Sequence, residues 1–574
     1  MSEVVHSNIR AGSYHDSVVL LRLQRGLTEL PGVLDAGVAM ATAANRELLR
    51  ASGLWTGAAD GAGDADLVIV VRAETDAAAV AALARVDGLL AVRAAGGSGG
   101  YRPRSLGGAL RQAPGARWVL ISIPGRYAAA VADQALDAGR SVFLYSDNVA
   151  RGDELVLKRK AAERGLLVLG PDCGTAIVAA AGLGFANRVR PGGIGLIGPS
   201  GTGLQMVASR IHALGGGVSH ALGTGGRDLS LEIGGLAAEA ALDLLARDPA
   251  TKVLVIVSKP PAPAVATRLL ARARATGKPV VACFLGLVPP GRRLGPVSFA
   301  AGLAEAAELA VSLAKTAPES IPESPGTDLP ESRPTSVSAD RPHLRGLFSG
   351  GTLAYEAQLA LELVLTPLWS NAPVGTVQPL PDPWASRDHT ILDLGADEFT
   401  VGRLHPMLDP DLRLRRLRAE AADPSVGLLV LDVVLGDGAH ADPAGVLAPE
   451  IERVLAARRT SGPPLRIVTW VVGTDADSQD LAEQQATLER AGARVVHTAE
   501  ELVELVLEHL APAAPPLPHP VPLDLLAAPL DAINVGLETF GDSLRDQGAR
   551  VLQVDWRPPA GGNERLAGLL ARLK

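Results

Sequence analysis

Residues 194–203 read Ile194-Gly-Leu-Ile-Gly-Pro-Ser-Gly-Thr-Gly203, an apolar run that breaks into glycine, serine and threonine. A short apolar run bounded by glycine predicts a buried strand, and the residues from about Leu204 onward have a helical pattern. Such a strand-to-helix turn leaves backbone N–H groups free at a helix N-terminus. There the helix dipole favours an anion by roughly 0.3–2 kcal/mol. Gly201 and Gly203 admit a ligand without a Cβ clash, and Ser200 and Thr202 add hydroxyl donors. No lysine follows in GxxxxGK spacing and the glycines do not fit GxGxxG, so neither a Walker A motif nor a dinucleotide fingerprint is present. Taken alone, the loop equally reads as Ser and Thr capping a helix.

The same order of landmarks occurs twice. After the first loop come the turn Gly223-Thr-Gly-Gly-Arg-Asp228, a helix from Glu239 to Ala246 stopping at Asp248-Pro249, and a strand from Val253 to Val257 ending at Ser258-Lys259. Farther on, a strand from Leu344 to Phe348 enters Ser349-Gly350-Gly351-Thr352-Leu353 and a helix containing Glu356. Then follow Ile391–Glu398, a helical stretch ending at Asp423-Pro424, and a strand from Leu428 to Val433. The repetition predicts two flavodoxin-like domains, 191–315 and 344–510, each with an anion-binding loop.

Working outward, residues 105–190 alternate strands (118–123, 141–145, 166–169) with helices (128–138, 152–164), the pattern of a parallel, Rossmann-like sheet. The last of these strands runs into Gly170-Pro-Asp-Cys-Gly-Thr175, at a strand C-terminus, where open α/β sheets place ligands. Residues 1–97 form a smaller α/β layer, ferredoxin-like or ACT-like: helix 17–30, strand 33–40, helix 45–52, strand 67–71 and helix 75–86. Gly96–Gly100 is a flexible link. Residues 316–343, rich in Pro, Ser and Glu, form a linker, and Pro512–Pro522 makes a second break. A C-terminal segment, 524–574, carries strands at 532–535 and 550–554.

Composition agrees with this α/β reading. The 574 residues are 47% hydrophobic but only 3% aromatic, so the cores are built from Ala, Val and Leu. The net charge of −8 and the absence of a basic, aromatic-interleaved stripe argue against nucleic acid. No apolar run is long enough to span a bilayer and no signal-peptide pattern opens the chain, which predicts a cytoplasmic protein. The two cysteines, Cys173 and Cys283, form neither a disulfide framework nor metal-ligand spacing, so no metal is expected.

Several motifs carry a family resemblance. Gly195–Thr202 resembles the phosphate-binding helix start of succinyl-CoA synthetase α subunits, and Gly170-Pro-Asp-Cys-Gly174 resembles their Gly-Pro-Asn-Cys turn. Gly223–Asp228 falls at their glycine-rich active-site turn. Ser349 through Asp432 is similar to the β-subunit domain that supplies the opposing phosphate-binding helix. The resemblance implies a CoA-binding-type domain at 105–190. A resemblance covering more of the chain is to the FdrA family, carried by Ser13-Tyr-His-Asp-Ser17, Gly223–Ser230, Asp397–Thr400 with Arg403, His405 and Pro406, and Val554-Asp-Trp-Arg-Pro-Pro559. It implies a cytoplasmic role in purine-derived nitrogen catabolism. The associated activity is an oxamate carbamoyltransferase that works with two further protein subunits, with phosphate or carbamoyl phosphate as ligand.

Departures from the ligase pattern bear on mechanism. The ligases use a transiently phosphorylated histidine, and the corresponding stretch here, Gly291-Arg-Arg-Leu-Gly-Pro-Val-Ser298, has Pro296 at that position. Proline offers no nucleophilic nitrogen, so a phosphohistidine relay cannot use it. The supporting glutamate is replaced by Met206, whereas the second half keeps Glu356. Residues 96–106 lack the ligase CoA loop, which leaves CoA doubtful, and no ATP-grasp domain is evident. The candidate catalytic groups are Arg227, Asp228, Lys259, Glu356 and His405. Phosphate-binding candidates are Ser200, Gly201, Thr202, Gly203, Ser349, Gly350, Gly351 and Thr352. Asp172, Cys173, Gly225 and Gly226 are candidates for a substrate or CoA-like pocket. Arg292, Arg293, Arg403 and His440 are further candidates. Asp228 has the alternative of capping a helix, Cys173 that of a small buried residue, and the arginines and histidines that of solvated or structural groups.

Overall fold

The computed structural model describes residues 3–13, 17–63, 66–91, 102–287, 289, 291–316, 342–400, 404–436, 439–461, 463–475, 477–510 and 517–558. The 96–100 link, nearly all of the 316–343 linker, the start of the Pro-rich break, Tyr14–Asp16, Arg403 and Pro559 lie outside these residues. The chain divides into two compact units, Met1–Ala161 with Ala527–Lys574, and Ala162–Leu526.

The second unit holds both halves of the repeat. In the first half, strands Val218–Gly223, Pro191–Gly198, Val253–Ser258, Val280–Phe284 and Val297–Phe299 lie side by side in that order, all parallel. Counted along the sequence this is the 2-1-3-4-5 winding of flavodoxin-like sheets. An antiparallel hairpin, Thr175–Val178 with Ala181–Gly184, extends one edge, and Arg293–Leu294 extends the other. All six residues of Val253–Ser258 are buried, as expected for a parallel strand covered on both faces. Each such Val, Leu or Ile contributes on the order of 1.5–3 kcal/mol.

In the second half, His389–Asp393, His343–Phe348, Val426–Val434, Arg466–Val472 and Arg494–Val496 repeat the order, again all parallel. Leu368–Ser370 and Gln378–Pro379 add a short parallel margin. The correspondence is residue by residue. Ile197 faces Ile256 as Leu347 faces Leu431, and the helices after the two loops begin at Gly201 and Gly351. Pro199 therefore matches Ser349, Ser200 matches Gly350, Val257 matches Asp432, and Met206 matches Glu356. The first of these helices starts at Gly201, earlier than the apolar pattern from Leu204 predicts. Ser200 caps it, and glycine is tolerated in a first turn whose N–H groups are unpaired in any helix.

Both Asp-Pro landmarks end a helix, with Asp248 and Asp423 as C-caps. Burial would raise the Asp248 carboxyl, but hydrogen bonds from His220, Thr251 and the Ala250 N–H outweigh it and bring its pKa to about 2. A depressed carboxylate contributes stability that is present above its unfolded pKa, 3.8, and is lost as the pH falls toward 2. The contribution is on the order of 2 kcal/mol. Asp248→Asn should flatten the stability profile between these pH values in acid denaturation. A profile that keeps its wild-type slope there would refute the assignment.

In the first unit, Arg550–Val554, Asp531–Gly536, Trp118–Ser122 and Ser141–Leu144 lie side by side and parallel. The two C-terminal strands thus belong to the sheet begun at Trp118, although the sequence reading sets 524–574 apart. The N-terminal layer is a three-stranded antiparallel sheet in which Leu67–Ala73 lies between Val4–Arg10 and Val33–Met40. With the helix Ser17–Thr28 between the outer strands, this is the split β-α-β order of a ferredoxin-like layer. Sequence pattern does not mark Val4–Arg10, because this edge strand mixes polar and apolar residues and buries none fully. The helix predicted over 75–86 is two, Asp76–Ala84 capped by Thr75 and then Val86–Ala91.

Candidate anion site in the first repeat

Three loops of the first half pack against one another where the strand order reverses. Gly198 adopts φ +157°, and a Cβ there would lie 1.9 Å from the Val257 carbonyl oxygen, so only glycine lets the chain leave the central strand at this angle. The Gly198 carbonyl accepts the Thr224 N–H at 2.9 Å, tying in the glycine turn. A Cβ on Gly223 would meet Thr175 O at 2.3 Å. One on Gly225, at φ +90°, would meet Pro171 O at 2.5 Å. Those contacts press the 223–228 turn onto the 170–175 turn. Gly225→Ala should therefore separate these turns and cost about 1–3 kcal/mol, read as a lower urea midpoint. An unchanged midpoint would show that the turns are not packed in this way.

At the helix start, Ser200 Oγ accepts the Gly203 N–H at 3.2 Å and Ser200 O accepts the Leu204 N–H. The N–H groups of Gly201 and Thr202 have no partner among the described residues. Thr202 is exposed. Asp172 and Gly226 are exposed side by side; a Cβ on Gly226 would lie 3.7 Å from Asp172 Oδ2. Lys259 is exposed at the end of the neighbouring strand, and Arg227 is half-buried. The loop can hold an oxyanion by backbone donors, one hydroxyl and the helix dipole.

Some candidates have structural work instead. Asp228 is fully buried, and its two oxygens accept the Ala237 and Ala238 N–H groups at 3.2 and 2.9 Å, which caps the helix Leu236–Arg247. Cys173 is buried, with its thiol directed at Gly223 O at 3.0 Å; this is the small-buried-residue alternative. Pro296 sits in the turn between Arg293–Leu294 and Val297–Phe299, and its carbonyl accepts from Val280, the first residue of its strand. That is the N-terminal end of the parallel strands, opposite the end at which the 198–203 loop emerges. Arg292 pairs with Glu305 at 3.2 Å on the same edge hairpin.

The second loop differs chemically. Ser349 N–H, Ser349 Oγ and Gly350 N–H all donate to the carboxylate of Asp432, at 2.8, 2.9 and 3.0 Å. Arg413, itself buried, pairs with the same carboxylate at 3.1 Å. On the other side, a Cβ on Gly351 would lie 2.7 Å from Asp393 Oδ2. Burial raises the Asp393 carboxyl above the usual range against the pull of the Gly395 N–H, and neighbouring Asp432 and Glu398 push it further up. His405 is exposed; its Nε2, Ser349 O and Asp393 Oδ1 all lie within 3.2 Å of where a Cβ on Gly395 would be. His440, Ser349 and Arg413 line a cavity of about 20 Å³, the size of one water molecule. Glu356 and Thr352 are exposed on the helix Gly351–Leu361. Sequence reasoning missed Asp393, Arg413 and Asp432. The available signal was an aspartate inside the apolar run Leu428-Leu-Val-Leu-Asp-Val-Val434.

Family models divide the chain accordingly. One described as CoA binding domain matches residues 189–286, and one described as CoA-ligase matches 347–507. A third, described as AllF, heavy metal-associated domain, matches 1–104. That stretch has no cysteine, and among the described residues no group of His, Cys, Asp and Glu could hold a metal ion. The CoA-binding match falls on the first repeat, whereas the sequence reading places a CoA-binding-type domain at 105–190. The fold is that of the succinyl-CoA synthetase-like, NDP-forming acyl-CoA synthetases.

Within that class, the chain is 42% identical over 487 residues to the uncharacterized protein YahF of Escherichia coli (strain K12), covering 84% of this chain and 94% of that one. It belongs to the YahF family. It is also 31% identical over 183 residues to succinate–CoA ligase [ADP-forming] subunit alpha 2 of Archaeoglobus fulgidus, across 31% of this chain and 61% of the ligase subunit. The alpha 1 subunit of that organism is 29% identical over 181 residues, 31% of this chain and 60% of its own length. No helix among the described residues is long and apolar enough to cross a membrane.

Proposed function

We propose that this chain is the FdrA-like subunit of a carbamoyl- or acyl-phosphate-handling transferase that interconverts oxamate plus carbamoyl phosphate with oxalurate plus phosphate. The observation that carries the reading is the first loop: a helix start with free N–H groups at Gly201 and Thr202, beside the 170–175 and 223–228 turns. A bound phosphate oxygen attacks the carbamoyl carbonyl of oxalurate, the C–N bond to the oxamate amide breaks and that nitrogen takes a proton, giving carbamoyl phosphate and oxamate; in reverse the oxamate nitrogen attacks, loses a proton and phosphate leaves. The loop holds the phosphate and Lys259 and Arg227 add positive charge nearby. Catalysis is by positioning and electrostatics without a covalent histidine. Residue 296 is proline, in keeping with such a mechanism. The FdrA resemblance gives the chain a place in purine-nitrogen catabolism, and two partner subunits complete the enzyme.

The test is co-expression with the proteins encoded beside it, followed by assay of oxamate plus carbamoyl phosphate for phosphate release and oxalurate. Ser200→Ala with Thr202→Val should raise the KM for carbamoyl phosphate about tenfold or more, equivalent to roughly 1.4 kcal/mol or more. Turnover unchanged in that double variant would count against the loop. A second reading, an NDP-forming acyl-CoA ligase subunit, is favoured by the CoA-binding and CoA-ligase matches. Thioester formation from ATP, CoA and succinate would establish it and exclude the direct mechanism.

A further inference from the structure

The two loops arose at equivalent positions of one repeated fold, yet they differ at the positions that set their charge. In the first, the residue of the adjacent strand is Val257 and the loop begins with Pro199, which has no N–H. In the second, these positions are Asp432 and Ser349. The Asp432 carboxylate is fully buried and accepts three hydrogen bonds from Ser349 and Gly350, the groups that an external oxyanion would seek. Asp393 Oδ2 lies on the opposite side of the same helix start. Two carboxylates against the single guanidinium of Arg413 leave the second loop with a net negative neighbourhood, whereas the first loop has no carboxylate in its adjoining strand.

We propose that Asp432 and Asp393 are specificity-determining residues that close the second loop to phosphate, so that each chain has one receptive anion site, at 198–203, and one occupied by its own side chain. The proposal rests on the phosphate reading above for the first loop only. Beside a buried carboxylate like charges repel strongly at bonding distance, and a phosphate dianion would have to displace hydrogen bonds already made. Gly201 is the complementary probe. A Cβ there meets nothing closer than Thr175 Oγ1 at 3.6 Å, so a side chain can start at this position and Gly201→Asp gives the first loop the charge that the second already has.

The experiment is calorimetric titration of the full chain with inorganic phosphate, with Tm as a second readout. Wild type should bind one phosphate, and Gly201→Asp should weaken binding tenfold or more. Adding Asp393→Asn and Asp432→Asn to Gly201→Asp should restore one site and a phosphate-dependent rise in Tm. Should the Asp432 variant fail to fold, Asp393→Asn alone, at a half-buried position, should still give a measurable part of that rise. Wild-type affinity persisting in Gly201→Asp and disappearing on Thr352→Pro would place phosphate at the second loop and overturn the proposal while sparing the phosphate reading. Absence of binding to wild type would sink the phosphate reading instead. In that case the receptive first site falls with that reading, and the aspartate variants decide the closure of the second loop: a phosphate-dependent Tm rise upholds it, and no rise overturns it.

Discussion

Asp432→Ala is expected to destabilise the second unit by about 3–5 kcal/mol, the usual consequence of removing one partner from a buried ion pair. The substitution strands Arg413, whose guanidinium burial already works against its charge, and leaves the Ser349 and Gly350 N–H groups without an acceptor. Because the penalty comes mainly from the stranded charge, Arg413→Met added to Asp432→Ala should recover part of the loss even though a second group is removed. Urea denaturation followed by circular dichroism measures both. A loss below about 1 kcal/mol in the single variant would mean that the loop is not held by this carboxylate.

The second large effect is expected at Gly198. An alanine methyl would lie 1.9 Å from the Val257 carbonyl oxygen, far inside any real contact, with the oxygen in the backbone of one central strand and the methyl fixed directly to the backbone of its neighbour. Relief therefore requires strand movement, at a cost of about 1–3 kcal/mol or more. The displaced loop should also lose the phosphate binding proposed for it, so phosphate affinity should fall with stability. Gly201→Ala is the matched control, because its methyl has room; it should stay within about 1 kcal/mol of wild type and fold normally. Equal effects at the two positions would show that loop flexibility, and not the Gly198 contact, governs the site.

Much of the fold was legible because its parallel strands are buried on both faces and read as unbroken Val, Ile and Leu runs, as at Val253–Ser258. The repeat was legible because Asp-Pro at 248 and 423 and the Ser/Gly/Thr loops punctuate both halves at the same places. What escaped was long-range. Nothing local tells that Arg550–Val554 and Asp531–Gly536 join the sheet of Trp118–Ser122, since parallel pairing depends on register between distant segments. The site was legible only in part for the same reason. Ser349 and Gly350 look identical in kind to Ser200 and Gly201 until Asp432, 83 residues later, is placed beneath them. Arg413 was hidden differently: the alternating Leu and Arg of 411–418 resemble a solvated helix face, yet Arg413 and Arg416 are buried and Arg415 is exposed.

The sheet containing Trp118–Ser122 has a consequence for how the protein is made. That strand finds its partner Asp531–Gly536 only more than four hundred residues further along the chain, with the whole second unit in between. On the ribosome, both repeats of the second unit can emerge and fold while the apolar edge of Trp118–Ser122 waits for its neighbour. Closure of that sheet is then a late event, and until it happens the waiting edge is open to wrong pairing.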